Sequence, residues 1–347
     1  MRLAFVKYCG MASGGGERYL QSYAIICAKA GHDVTFYYTN RAGNTPNHPD
    51  HDASRLELVK SYGIKTVFIQ VDHCEREYWI SDFDSKFDDS YDFVHSVVGG
   101  AIEYPFTKIK SPIIHTIHGV NAHNQDNIHR NILLCNWQAS RWLANGGAGK
   151  IEIIPSIVHV PPKTRDNLRE QLDVRQDAFV FGYHQRNCSG LFSPIPFDAF
   201  RLFQDDSIFL MLGGGQAHRD YVGEANIKNV IFLDHTSDTN MIHKFLQTLD
   251  CYTHAKPFGE VCSACMIEAM YHGLPIVSHP SDIDQGHIEM LDGCGKIANS
   301  LDEYIAEMKE LKEVDYYYDH RSELILNKYY SHYDIKKIEQ RILSLYV

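Results

Sequence analysis

Short runs of β-branched and aromatic residues alternate with helical stretches twice along this chain, and few folds accommodate that rhythm. Leu3-Ala-Phe-Val6 is a strand signal. It runs into the glycine turn Ser13-Gly14-Gly15-Gly16-Glu17, an amphipathic stretch from Arg18 to Ala30, a stop at Gly31 and a second strand, Val34-Thr-Phe-Tyr-Tyr38. Strand, turn, helix, strand is the unit of parallel sheets, in which a right-handed crossover returns the chain to its own sheet. A helix over 56–62 and extended segments at 66–71, 93–98 and 113–117 continue the rhythm. Mixed strand and short helix over 131–145 and a strand over 152–155 close the first series, while 39–52, rich in Asn, Pro, His and Asp, reads as a loop.

Around Pro155 the composition changes. Ser156-Ile-Val-His-Val-Pro-Pro-Lys163 suits a stiff linker. A second series follows, with strands expected at 179–182, 207–212, 230–233, 251–254 and 275–278, and helices at 196–203, 240–249 and 263–271. A chain of 347 residues is long enough for two domains. The expected fold class is therefore α/β, with two Rossmann-like parallel-sheet domains facing across a cleft. Residues 1–155 form the first, 156–329 the second, and 330–347, with helical spacing of Ile335, Ile338, Ile342 and Leu345, return to the first.

Composition removes several function classes. Thirty-three basic against 44 acidic residues give a net charge of −11, which argues against a nucleic-acid partner. No apolar run reaches the roughly 18 residues that span a bilayer, and Met1-Arg-Leu-Ala-Phe-Val before Lys7 lacks the pattern of a secretory signal. Nine irregularly spaced cysteines read as reduced thiols, which places the expected compartment in the cytoplasm.

Two segments have the makings of a site. The turn at Gly14–Gly16 lets backbone approach a ligand, and the free N–H groups of the helix that follows attract anions. The second segment is Glu260-Val-Cys-Ser-Ala-Cys-Met-Ile-Glu268. In one continuous helix the two glutamates would diverge by roughly 80°, given 3.6 residues per turn. With Glu260 in a turn and a helix starting near Cys262 or Ser263, both carboxylates can meet one ligand beside exposed N–H groups. Carboxylates suit sugar hydroxyls because each oxygen accepts hydrogen bonds. A carboxylate that only complements the helix dipole is the competing explanation.

At these residues the chain resembles the retaining glycosyltransferases of the GT-B fold, specifically glycosyltransferase family 4. Glu260, Glu268, Ala269-Met270, Gly273 and Pro275-Ile-Val277 match the family's paired glutamates and the Ala-Met, Gly and Pro after them. Gly14–Glu17 with Gly31-His-Asp-Val34, the linker from Ile154, and Gly213-Gly214-Gly215 are similar as well; roughly 39–110 match nothing.

The resemblance implies roles. Glu268 would bind nucleotide ribose and Glu260 the transferred sugar. The N–H groups of Cys262, Ser263 and Ala264 would meet diphosphate and sugar, aided by Gly15, Gly16 and Gly214. His118 would contact the donor sugar, and Arg186 the diphosphate. Where the family carries a lysine five residues beyond that arginine, this chain has Leu191, so Arg219 or Lys256 is left to supply the charge. Cys262-Ser263 replaces an aromatic-glycine pair. No Asp-x-Asp metal motif is present, so the implied transfer needs no metal and no cofactor beyond the nucleotide-diphosphate sugar. The acceptor would be a saccharide, glycan or lipid-linked hydroxyl. Peripheral membrane contact stays open, on the thin basis of Arg18 and Lys29 in the first helix.

Competing explanations are blander. Cys262-Ser-Ala-Cys265 lacks the aromatic and proline context of a redox motif and reads as buried small side chains. His115, His118, His123 and His129 form no recognised zinc set, and all but His118 read as structural. Tyr78-Trp79, Trp137, Tyr316-Tyr-Tyr318 and Tyr329-Tyr330 read as packing or surface residues. A silent nucleotide-sugar or glycan-binding protein, or a GT-B nucleotide-sugar epimerase, is the alternative function.

Overall fold

The computed structural model describes residues 1–12, 14–39, 52–75, 78–100, 102, 105–164, 166–313 and 315–347. Ser13 of the glycine turn and most of the expected loop at 39–52 lie outside the described residues, as do the side chains of Tyr78, Trp79 and Tyr316–Tyr318. The chain divides into two units, Met1–Ile157 with Lys336–Val347, and Val158–Ile335.

In the first unit, β1 (Arg2–Lys7), α1 (Gly15–Lys29), β2 (Asp33–Tyr38), α2 (Ala53–Ser61) and β3 (Lys65–Phe68) follow one another. A hairpin of β4 (Val71–Glu75) and β5 (Tyr78–Ser81) precedes α3 (Phe83–Lys86), β6 (Phe93–Val98) and β7 (Ile113–Ile117). Then come β8 (Ile128–Leu133), α4 (Asn136–Ala144) and β9 (Ile151–Ile153). Seven strands pair in parallel in the order β3-β2-β1-β6-β7-β8-β9. β7 is buried at every position because a parallel sheet is covered on both faces, and its two polar residues are paired, His115 with the Gly100 carbonyl and Thr116 with His95. Helix α1 begins at Gly15, three residues before the expected start, because the glycines themselves form its first turn.

The second unit runs β10 (Phe179–Gln185), α5 (Ile195–Phe200), β11 (Ser207–Gly213), α6 (Gln216–Glu224), β12 (Val230–Leu233) and α7 (Thr239–Leu246). It continues with β13 (Cys251–His254), α8 (Ala264–His272), β14 (Ile276–Ser278), α9 (Gly286–Leu291), β15 (Lys296–Ile297), α10 (Leu301–Glu313) and α11 (Asp315–Lys328). Its six parallel strands take the order β12-β11-β10-β13-β14-β15. Phe181, Phe197, Phe209, Met266, Met270 and Tyr304 are among its buried core.

The last helix, α12 (Ile335–Ser344), buries Ile338 and Ile342. Beyond it, the Tyr346 hydroxyl meets His95 Nδ1 at 2.6 Å, and Arg341 bonds the Ile153 carbonyl. The end of the chain is thus fastened to the first sheet. Among the described residues no helix is long and apolar enough to cross a membrane.

Both sheets change direction next to their first strand, between β1 and β6 and between β10 and β13. In open α/β sheets ligands bind outside the carboxyl ends of the strands at such a point.

Candidate functional site

In the second unit, β13 ends at His254 and the chain turns before α8 begins. Gly259 makes the turn with φ of 64°, and a Cβ there would fall 1.8 Å from the Asp284 carbonyl oxygen, so only glycine fits. Glu260 stands in this turn rather than in the helix. Ser263 is the N-cap, its hydroxyl accepting the Met266 N–H at 3.3 Å, and Gly273 ends α8 in the left-handed conformation. The Ser263 N–H, expected at a diphosphate, donates to the sulfur of Met290 at 3.2 Å, a weak acceptor. Cys262 and Cys265 are half-buried rather than buried as expected.

Glu260 is held on both oxygens. Lys256 Nζ donates to Oε1 at 2.6 Å and His254 Nε2 to Oε2 at 2.9 Å. Burial alone would raise the Glu260 pKa, but the Lys256 ammonium and the His254 hydrogen bond outweigh it and hold the carboxyl far below the usual carboxylate range. Burial works against the Lys256 charge as well, and Glu260 more than restores it. His254 goes the other way, pushed down to about 4 chiefly by burial. It is therefore a neutral imidazole donating from Nε2, with Nδ1 accepting from the Ser278 hydroxyl at 2.8 Å.

Glu268 lies on α8, with Oε2 2.8 Å from His184 Nε2 at the end of β10. Burial disfavours the His184 charge, but Cys265 and Glu268 outweigh it and raise the imidazole to about 10. The Tyr252 hydroxyl stands 3.3 Å from His184 Nδ1. Each glutamate thus has its own histidine, and each histidine its own hydroxyl. None of His184, Tyr252, His254 or Ser278 was assigned a role from sequence; the available signal was a histidine at the carboxyl end of a parallel strand.

Arg186 follows β10, is exposed, and lies close enough to Lys256 for the two cations to repel. Of the two stand-ins for the missing lysine, Lys256 is at Glu260, whereas Arg219 on α6 pairs with Asp234 at 3.3 Å and covers the Phe232 ring. Gly213, Gly214 and Gly215 all have positive φ, 85°, 89° and 75°, turning β11 into α6. A Cβ on Gly214 would fall 2.1 Å from Met211 Cε.

In the first unit, Gly14 caps α1, so the N–H groups of Gly15 and Gly16 have no acceptor within the helix. Lys7, at the end of β1, pairs with Glu17 at 3.3 Å. His118, just past β7, stacks edge-on against Tyr19 at 5.1 Å between ring centres. A Cβ on Gly16 would lie 3.6 Å from His118 Nδ1 and 3.7 Å from Lys7 Cε, which brings the expected first-unit residues together. Burial first, and the Lys7 charge second, push His118 down to about 4, leaving it neutral. Its Nε2 is buried with no hydrogen-bond partner among the described residues. Of the other histidines, His115 is tied to the Gly100 carbonyl at 2.8 Å and His129 packs on Phe93.

No family model matches the chain, and no curated protein matches it in sequence. Its backbone is similar to several solved structures over almost their whole length. HepE from Anabaena, solved with UDP and glucose, is 15% identical with a TM-score of 0.73, covering 99% of each chain. A glycosyltransferase from Rickettsia africae is 13% identical with a TM-score of 0.75, covering 99% of this chain and 97% of the other. Sucrose-phosphate synthase from Thermosynechococcus elongatus is 14% identical with a TM-score of 0.72, over 99% and 98%. The fold is that of the GT-B glycosyltransferases.

Proposed function

We propose that this chain is a retaining glycosyltransferase of the family 4 kind. It moves a sugar from a nucleoside-diphosphate sugar to an acceptor hydroxyl, without a catalytic metal. The observation that carries the reading is the pair of glutamates flanking the start of α8, both at the carboxyl edge of the second sheet and each anchored by a histidine. HepE, a structural neighbour, was solved with UDP-glucose, which makes UDP-sugars the first donors to try.

In this scheme Glu268 uses the oxygen that His184 leaves to hold the ribose hydroxyls. Glu260, fixed as a carboxylate, accepts hydrogen bonds from the donor sugar. Departure of the diphosphate builds negative charge on its oxygens, and preorganised cations and N–H groups stabilise such charge best. Arg186, Lys256 and the N–H groups of Cys262 and Ala264 serve that need, with Gly214 and, from the first unit, Gly15 and Gly16. His118 receives the sugar, its unpartnered Nε2 suited to a hydroxyl. The acceptor hydroxyl, of a saccharide, glycan or lipid-linked glycan, attacks from the face the diphosphate leaves, through an oxocarbenium-like state. The leaving phosphate oxygen takes its proton. Free thiols at every described cysteine suit a reducing, cytoplasmic setting.

The test is a panel of UDP-, GDP- and ADP-sugars, read first by thermal shift and then by release of nucleoside diphosphate with a mixture of acceptors. One donor should raise the melting temperature and turn over, since a bound ligand stabilises the fold by mass action. Glu268→Ala should raise its Kd by about 10- to 100-fold, the worth of a charge-assisted hydrogen bond of roughly 1.5–3 kcal/mol. Binding without transfer or hydrolysis would make the chain a sugar-nucleotide-binding protein instead.

A further inference from the structure

Cys265 has no part in the scheme above, yet it is placed among metal-binding atoms. Cys265 and Glu268 are three residues apart and share one face of α8. That face meets the end of β10, where His184 stands. The Cys265 sulfur, a Glu268 carboxylate oxygen and a His184 ring nitrogen all lie within 4.8 Å of one another. We infer that His184, Cys265 and Glu268 form a binding site for a borderline-soft divalent cation, zinc before any other.

Three features of the cluster favour zinc. Thiolate, imidazole and carboxylate are the ligand types zinc takes, and the sulfur disfavours magnesium and calcium. With bonds of about 2.0–2.3 Å, a tetrahedral zinc holds its donors roughly 3.3–3.7 Å apart. The His184 nitrogen and Glu268 oxygen, 2.8 Å apart, would open by about half an ångström, and the Cys265 sulfur, within 4.8 Å of both, would close by roughly an ångström, shifts within the range of side-chain rotation. The third feature is support beyond the ligands. Tyr252, fully buried on β13, stands with its hydroxyl 3.3 Å from His184 Nδ1. A metal-bound histidine ordinarily donates its other N–H to such a partner, which fixes the ring. Here that leaves Nε2 to the metal.

The proton balance is simple. Without metal, the contact of His184 Nε2 with Glu268 Oε2 at 2.8 Å holds one proton. Zinc displaces it together with the Cys265 thiol proton; both go to solvent, and the ion gains nitrogen, thiolate and carboxylate, with a fourth position open to water. Nothing is oxidised or reduced.

Glu268 cannot hold zinc and ribose in the same geometry. Competition between metal and nucleotide follows, a consequence that rests on the ribose role proposed above.

The experiment uses the full chain, reduced and freed of metal, dialysed against zinc, with cobalt(II) as a spectroscopic probe. One ion per chain should bind, with a thiolate-to-cobalt charge-transfer absorption. Cys265→Ser, a near-isosteric change at a half-buried position, should abolish that absorption and weaken zinc binding by about tenfold or more. Cys262→Ser, three residues earlier, should leave both intact. Absence of stoichiometric uptake would overturn the site, as would uptake unaltered by Cys265→Ser or lost equally in Cys262→Ser. Zinc should also weaken UDP binding to the wild type but not to Cys265→Ser, a comparison that controls for chelation of the metal by the diphosphate. If zinc binds without affecting UDP, the metal site stands and the ribose role of Glu268 falls.

Discussion

The two units share a strand order but present different chemistry at the carboxyl edge of their sheets. The first offers backbone N–H groups at the start of α1 and a neutral His118, with Lys7 and Glu17 paired to each other nearby. The second offers two carboxylates, Glu260 and Glu268, each hydrogen-bonded by a histidine reaching from a strand end. Those two histidines carry opposite shifts. Glu260 already has Lys256 as its counter-charge, so burial decides for His254 and keeps it neutral. Glu268 has no such lysine at hydrogen-bond distance among the described residues, and His184 is held as the cation beside it. A shared order of six strands therefore leaves the charge of a site undetermined; the residue beside each carboxylate settles it.

That contrast can be broken by experiment. The largest effect is expected from Glu260→Gln, which keeps the shape and removes the charge. Transfer should fall by about 10²–10³-fold, the usual loss for one preorganised group, with nucleotide affinity little changed. Parallel kinetics and calorimetry that show both falling together would end the division of labour between the glutamates. Next comes Lys256→Met, which strands Glu260 in a buried site. Breaking a buried pair costs about 3–5 kcal/mol, measurable by denaturant unfolding.

A pH series sharpens the comparison further. His118 and His254 each drop from 6.5 unfolded to about 4 folded. Between those values the unfolded chain binds protons that the native chain does not. The share of stability from these two histidines is complete above pH 6.5 and declines as pH falls toward 4, whereas the share from His184, raised to about 10, is complete below pH 6.5 and is lost as pH rises toward 10. Glu260, depressed from 4.5, adds a further loss as the medium becomes more acidic than that. Scanning calorimetry should show the melting temperature falling over this range; a flat or rising profile would contradict neutral buried histidines. The smallest effect is expected from Ser263→Ala, which removes the cap of α8 at a cost of about 1 kcal/mol with the sheet intact.

Much of the fold was legible because parallel strands announce themselves. Ile113–Ile117 and Cys251–His254 fall where their β-branched and aromatic residues placed them, between turn and loop segments, and both are buried throughout. Helices were harder. α6 starts just past the three glycines, with Gly215 as its N-cap, and α10 starts behind Ser300, whose hydroxyl accepts the Glu303 N–H; neither helix was expected. At the candidate site, Glu260 and Glu268 stood out by spacing and by the turn between them. His184, His254 and Tyr252 did not, because nothing local distinguishes a strand-end histidine that meets a carboxylate from one that packs.

By itself the sequence determined the alternation, hence two parallel sheets, and the position of one glutamate in a turn and the other on a helix. Both follow from local preference: period, glycine and cap. Only the tertiary structure decided which partners those carboxylates acquired. His184 meets Glu268 across 84 residues, and Ser278 meets His254 across 24. Those pairings depend on which strands lie side by side, and the resulting charges depend on burial, a property of the assembled fold that no short stretch of chain possesses.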